Sequence, residues 1–196
     1  MQRMALEGAL KCVYWFAKTE VAHTTNYKSL LDFVKGMDCS YLEHLNQGGN
    51  AHYTSERILQ EFLQSISATI SETVFDDIKS SPAFSIMMDE TTDVSVMKQL
   101  ITYARYIKIS GNQAEVKTLF VNIDDLVDGK AETIVKSTEK MFEDLDWSFQ
   151  QCSAFGSDGA AVMVGSKSGV GQRLRRNNSH LINIHCIAHR LLQHNP

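Results

Sequence analysis

Two prolines in 196 residues, and no aspartate or glutamate after Asp158, are the most telling scarcities of this chain. With so little proline and no low-complexity tract, internal repeat or heptad seam, a proline-rich linker, a solenoid and a coiled coil are excluded. No apolar run approaches the ~20 residues that carry a helix across a bilayer. Residues 4–16 are mildly amphipathic but include Glu7 and Lys11, and they lack the cleavage pattern of a secretory signal. The expectation is a soluble chain with no membrane partner. Cysteine is sparse as well. Cys12, Cys39, Cys152 and Cys186 are scattered without the spacing of a disulfide framework, which points to reduced thiols and an intracellular setting.

What is present belongs to a globular protein: 43% apolar and 21% charged residues, enough for one domain of ordinary size or one domain with an appendage. The formal charge of −4 hides an asymmetry. Residues 1–158 hold 14 Lys/Arg and 23 Asp/Glu, a net of −9, whereas residues 159–196 hold only Lys167, Arg173, Arg175, Arg176 and Arg190, a net of +5. A basic end of this kind suits an anionic polymer.

Hydrophobic spacing divides the chain in two. Residues 1–80 read as helical, with Leu6, Ala9, Leu10, Val13 and Phe16 on one face and a short helix over residues 27–34. A break follows at Gly48-Gly49-Asn50. The most regular helix spans residues 55–79, where Ile58, Leu59, Phe62, Leu63, Ile66, Ile70, Val74 and Ile78 form one stripe. Pro82 stops it. From residue 81 to 196 the period changes. Strands are predicted over 84–88, 100–109, 116–123, 151–155 and 181–185, with a helix around Ile134 to Leu145, small residues opening another after Asp158, and a last one over 187–192. Three strands of a meander followed by alternating helix and strand predict an α/β, RNase H-like fold: a mixed five-stranded sheet behind an all-helical N-terminal region. In that layout the first and fourth strands lie parallel and adjacent. Asp89 and Asp158 then meet at their carboxyl ends, where open α/β sheets place their sites.

Each motif has a bland reading beside the chemical one. Asp89 ends a wholly apolar run and is either a Mg²⁺ ligand or a solvated strand-end carboxylate; Glu90 and Asp93 read as loop-surface or capping groups. Asp158, between Gly156 and Gly159, is a site residue on a tight turn, a helix N-cap, or both. Glycine there permits unusual backbone angles and close approach. Two carboxylates hold Mg²⁺ loosely, but in-line phosphoryl transfer calls for a clamp on two metals. No downstream acid remains to supply it, which argues against strand cleavage by this chain. His180, His185, Cys186, His189 and His194 invite a zinc reading, yet no second ligand pair completes a tetrahedral site; the plainer reading is a buried Cys186. Lys167, Arg173, Arg175 and Arg176 are either a solvated face or a phosphate contact giving non-specific DNA binding.

Taken in order, Met88-Asp89-Glu90-Thr91-Thr92-Asp93, Gly156-Ser157-Asp158-Gly159-Ala160-Ala161 and the Cys-x-x-His of Cys186 and His189 resemble the hAT family of DNA transposases and the host proteins descended from them. The resemblance covers residues 83–192 and is weaker over the helical leader. It implies that Asp89 and Asp158 match the first two acids of a DDE metal site; no tightly bound cofactor is expected, only Mg²⁺ held loosely by that pair. It implies that Cys186 and His189 lie near the site and the nucleic acid, and that the protein is nuclear. The family's third acid lies beyond a large helical insertion, and this chain stops before both, so the core is expected to be incomplete at its C-terminus. The functional expectation is a host-retained, catalytically inactive, nucleic-acid-associated regulator. The alternatives are a fragment of an active two-metal transposase, or a scaffold that binds protein partners through its helical N-terminal region.

Overall fold

Apolar side chains at helical spacing build the first part of the molecule. The computed structural model describes residues 1–46, 53–92 and 97–186, which divide after Glu72 into two compact units. In the first, α1 (Gln2–Thr19), α2 (His23–Gly36), a 3-10 segment (Ser40–Asn46) and the start of α3 (Glu56–Lys79) enclose a core of Ala9, Val13, Phe16, Tyr27, Leu31 and Leu59. Glu20 ends α1 in the left-handed region at φ 57°. Gly8 lets the 3-10 segment approach α1, since a Cβ there would lie 2.9 Å from Leu42. The Tyr27 hydroxyl donates to the Tyr53 carbonyl at 3.0 Å. The 3-10 segment carries no periodic apolar stripe, which is why spacing alone did not announce it. The expected break at Gly48-Gly49-Asn50 and the expected helix at 187–192 lie outside the described residues.

The second unit begins in α3, whose Val74, Phe75 and Ile78 join the sheet core. Pro82 marks the turn, and Ser81 secures it. The Ser81 hydroxyl donates to the Ala83 carbonyl at 2.7 Å and accepts from the Ile107 amide at 3.1 Å. Five strands follow: β1 (Phe84–Thr92), β2 (Lys98–Ser110), β3 (Gln113–Leu126), β4 (Cys152–Ser157) and β5 (Ile182–His185). α4 (Ala131–Asp144) joins β3 to β4 through a 3-10 turn at Phe149–Gln151, while α5 (Ala161–Val164) and α6 (Val170–Leu174) join β4 to β5. The β2–β3 turn is tight, with Gly111 at φ 59°, where a side chain would be strained. The sheet order is β3-β2-β1-β4-β5. β1–β2 and β2–β3 are antiparallel, and β1–β4 and β4–β5 are parallel. This is the RNase H-like arrangement that the order of elements predicts.

Alternation along the strands separates two faces. Phe84, Ile86, Met88, Leu100, Ala104 and Phe155 point to a face packed against Ile134, Phe142, Met163, Val170 and Leu174 of the helices. An aromatic cluster closes it: Phe142 stacks on Phe149 at 3.9 Å and meets Trp147 edge-on at 5.8 Å. The opposite face carries Ser85, Met87, Asp89, Tyr103 and Arg105, with Tyr103 and Phe120 exposed.

Candidate functional site: a carboxylate groove on the open sheet face

β1 delivers Asp89 by parity. With Ile86 and Met88 in the core, Met87 and Asp89 must face the other way. The β1–β4 ladder ends at Met87 opposite Gly156, whereas the β1–β2 ladder runs on to Thr92 opposite Lys98. Asp89 therefore stands within β1, at the point where its parallel neighbour peels away, and does not close the strand as the sequence suggested. Asp158 is the first residue beyond β4, on the same face as Gly156. The Cys186 amide donates to the Ser157 carbonyl at 2.8 Å, which carries the β4–β5 ladder one step past His185. All three converge on one groove of about 520 Å³, lined also by Met87, Tyr103, Gly156 and Ile184.

The two carboxylates are held differently. Among the described residues Asp89 is exposed and has no hydrogen-bond or ion-pair partner. Asp158 is half-buried, and its Oδ1 accepts from the Ala160 amide at 3.2 Å. That bond is a local Asx turn. It is not the N-cap of α5, whose cap position is Ala160. Neighbouring glycines act through space and not through backbone angle: neither Gly156 nor Gly159 has positive φ. A Cβ at Gly156 would come within 3.2 Å of Met87, and one at Gly159 within 2.4 Å of the His185 Nε2. The His185 ring lies under the turn that carries Asp158, with Nε2 buried and without a hydrogen-bond partner among the described residues.

Other residues depart from expectation. Glu90 is no loop group: it lies in β1, its carboxylate 2.5 Å from the Lys98 ammonium and packed against Gly129. Asp93, His189 and His194 lie outside the described residues. Cys186 is exposed, not buried. The buried thiol of this unit is Cys152, which desolvation pushes up to about 12. Among the described residues no three His, Cys, Asp or Glu side chains are grouped as a metal site. Asp89 and Asp158 offer hard oxygen donors of the kind that a hydrated Mg²⁺, an ion that keeps most of its waters, takes.

The basic patch is acid-free in sequence but not in space. Arg173 and Arg176 share a shallow cavity of about 190 Å³ with Glu132 and Glu139. Glu132 is held below the usual carboxylate range chiefly by Lys136, with Arg173 contributing. Arg173 Nε donates to the Ser168 carbonyl and Arg175 Nε to the Leu181 carbonyl, both at 2.8 Å. Lys167 and Arg176 are exposed. Arg105 escaped the sequence reading. It lies opposite Ser85, four residues along β1 from Asp89, about 13 Å at strand rise. Its signal was parity: it shares the phase of Tyr103 within a strand whose other phase is apolar.

A mixed five-stranded sheet of this order, with two carboxylates presented where β1 and β4 part, defines an RNase-like domain. Residues 5–169 match the family described as the ZMYM1/FAM200 RNase-like domain. The match spans most of the chain, helical unit included, and the protein belongs to that family. Among the described residues no helix is long and apolar enough to cross a membrane.

Proposed function

We propose that this domain is a host-retained, hAT transposase-derived module that associates with nucleic acid in the nucleus, serves a regulatory role and does not cut strands. The motif order resembles that of vertebrate zinc-finger proteins with a hAT-derived body, zinc finger protein 862 among them. The observation that carries the reading is the convergence of Asp89, Asp158 and Cys186 on one groove. By resemblance, Asp89 and Asp158 stand at the first two positions of a DDE metal site. Mg²⁺ bound there would be held by Asp89 and Asp158 and would supply only local charge neutralisation.

Nucleic acid would be met by Lys167 and Arg176 first, because Arg173 and Arg175 are partly engaged by backbone carbonyls. His189, outside the described residues, joins this reading through the motif resemblance alone. Duplex binding should be weak and non-specific, and log Kd should rise with log salt by roughly 0.9 per phosphate contacted. Reversing Lys167 and Arg176 to Glu should remove about two units of that slope. Equal binding by wild type and variant at low salt would reduce the patch to a solvated face. Mn²⁺-dependent nicking that disappears in both Asp89→Ala and Asp158→Ala would instead establish an active nuclease or transposase fragment. A second reading, a protein-interaction scaffold, is favoured by the apolar character of the open sheet face.

A further inference from the structure

The proposed function uses the carboxylate end of the open sheet face and leaves its apolar centre and Arg105 unused. Tyr103, Phe120, Ile123, Ile182 and Ile184 are each between 42% and 58% exposed on it. Apolar patches shared across several strands mark interaction surfaces more often than isolated exposed side chains do. Its relief is specific. The floor at Ala154 and Gly156 is low, flanked by Tyr103 on β2 and Ile184 on β5. Charge is polarised along the strands: Arg105 stands at one end, and Asp89 and Asp158 at the other. None of the three has an ion-pair partner among the described residues.

That polarity selects an occupant. We infer that this face is a docking surface for a second copy of the same chain, related by a twofold axis lying between the sheets and across the strands. Such an axis reverses strand direction while keeping strand position. It sets the Arg105 end of each copy over the Asp89 and Asp158 end of the other. A surface that pairs with itself must be self-complementary, and an apolar centre with opposite charges at its two ends meets that condition. Sheets packed face to face sit about 10 Å apart, a distance that an arginine and an aspartate span together. The low floor at Gly156 leaves room for a bulky side chain from across the axis. The inference uses the same groove as the proposed function but not the cations Lys167 and Arg176, and its test contains no nucleic acid, so the two readings fail separately.

Sedimentation equilibrium of the full chain, in EDTA so that no cation competes for the carboxylates, tests it. Between about 1 µM and about 1 mM the wild type should pass from monomer to dimer. Arg105→Glu should raise Kd by about tenfold or more, and the pair Asp89→Lys, Asp158→Lys should do the same, through like-charge juxtaposition at both ends. An equimolar mixture of the two variants should recover dimerisation, which also shows that both are folded. A monomer at every concentration would overturn the inference and assign the face to a different partner. So would variants that dimerise like wild type, the result expected if copies paired through the edge of β3, and so would a mixture that fails to recover.

Discussion

The two faces of the sheet are made by the same strands and both carry large apolar side chains, yet one is sealed and the other is not. On the sealed face Ile86, Phe155 and Phe142 are each 1% exposed. On the other, Phe120 and Ile184 are each 51% exposed. Hydrophobicity alone did not decide which face would be covered; the connections did. α4, α5 and α6 all return to one side, as a right-handed crossover between parallel strands requires. Stability is therefore concentrated on that side. The other holds the groove, Arg105 and two carboxylates that have no ion-pair partner among the described residues.

The most direct way to break the comparison is to truncate one aromatic on each face. Phe142→Ala should cost about 3–5 kcal/mol in urea unfolding, because it leaves a cavity among Phe84, Trp147 and Phe149. Phe120→Ala should cost no more than about 1 kcal/mol, the value of its cross-strand contact with Tyr103. Similar losses would mean that the open face is buried in solution. A smaller effect sharpens the contrast beside the site. Gly159→Ala should destabilise by about 1–3 kcal/mol, since the new methyl meets the His185 ring from the sealed side. Adding His185→Ala should recover most of that loss. Gly156→Ala, which meets only the pliable Met87 side chain, should cost less. A Gly159 penalty that persists without the ring would place its cause in the backbone.

Much of this was legible from residue spacing. The strand order followed from the change of period at Pro82 and from the alternation of helix and strand after Asp128-Gly129. The meeting of Asp89 and Asp158 followed from the first and fourth strands lying parallel and adjacent, whereas Cys186 was expected near them only from the motif resemblance. Three things were not legible. The sequence does not show that β1 continues past Asp89, because Glu90, Thr91 and Thr92 look like a polar loop until Lys98 pairs with Glu90 across the hairpin. An acid-free stretch of sequence also says nothing about acids brought to it by another helix, as Glu132 and Glu139 of α4 are brought to Arg173 and Arg176. Nor does parity alone mark Arg105 as a groove residue, since an arginine on the exposed phase of a strand is ordinary until its neighbours are seen to be apolar and unpaired.

The smallest expected effect lies where the sealing helix begins. Asp128 precedes α4, the helix that closes the covered face. Its carboxylate accepts from the Lys130 amide at 3.1 Å and from the Thr133 hydroxyl at 2.5 Å, and it lies 2.6 Å from the Lys130 ammonium. These contacts, led by the Lys130 side chain, lower its pKa from 3.8 to about 2. A carboxyl whose folded value is depressed binds its proton more weakly folded than unfolded. It therefore contributes stability above the unfolded value, and that contribution fades as pH falls toward about 2. Asp128→Asn should accordingly melt below wild type at pH 6, with the gap narrowing between about pH 4 and pH 2. The side chain is 35% exposed, so the gap should also shrink with added salt. If the gap is the same at pH 6 and pH 2, the side chain acts by its hydrogen-bonding shape alone, and charge has no part in anchoring the helix that separates the sealed face from the open one.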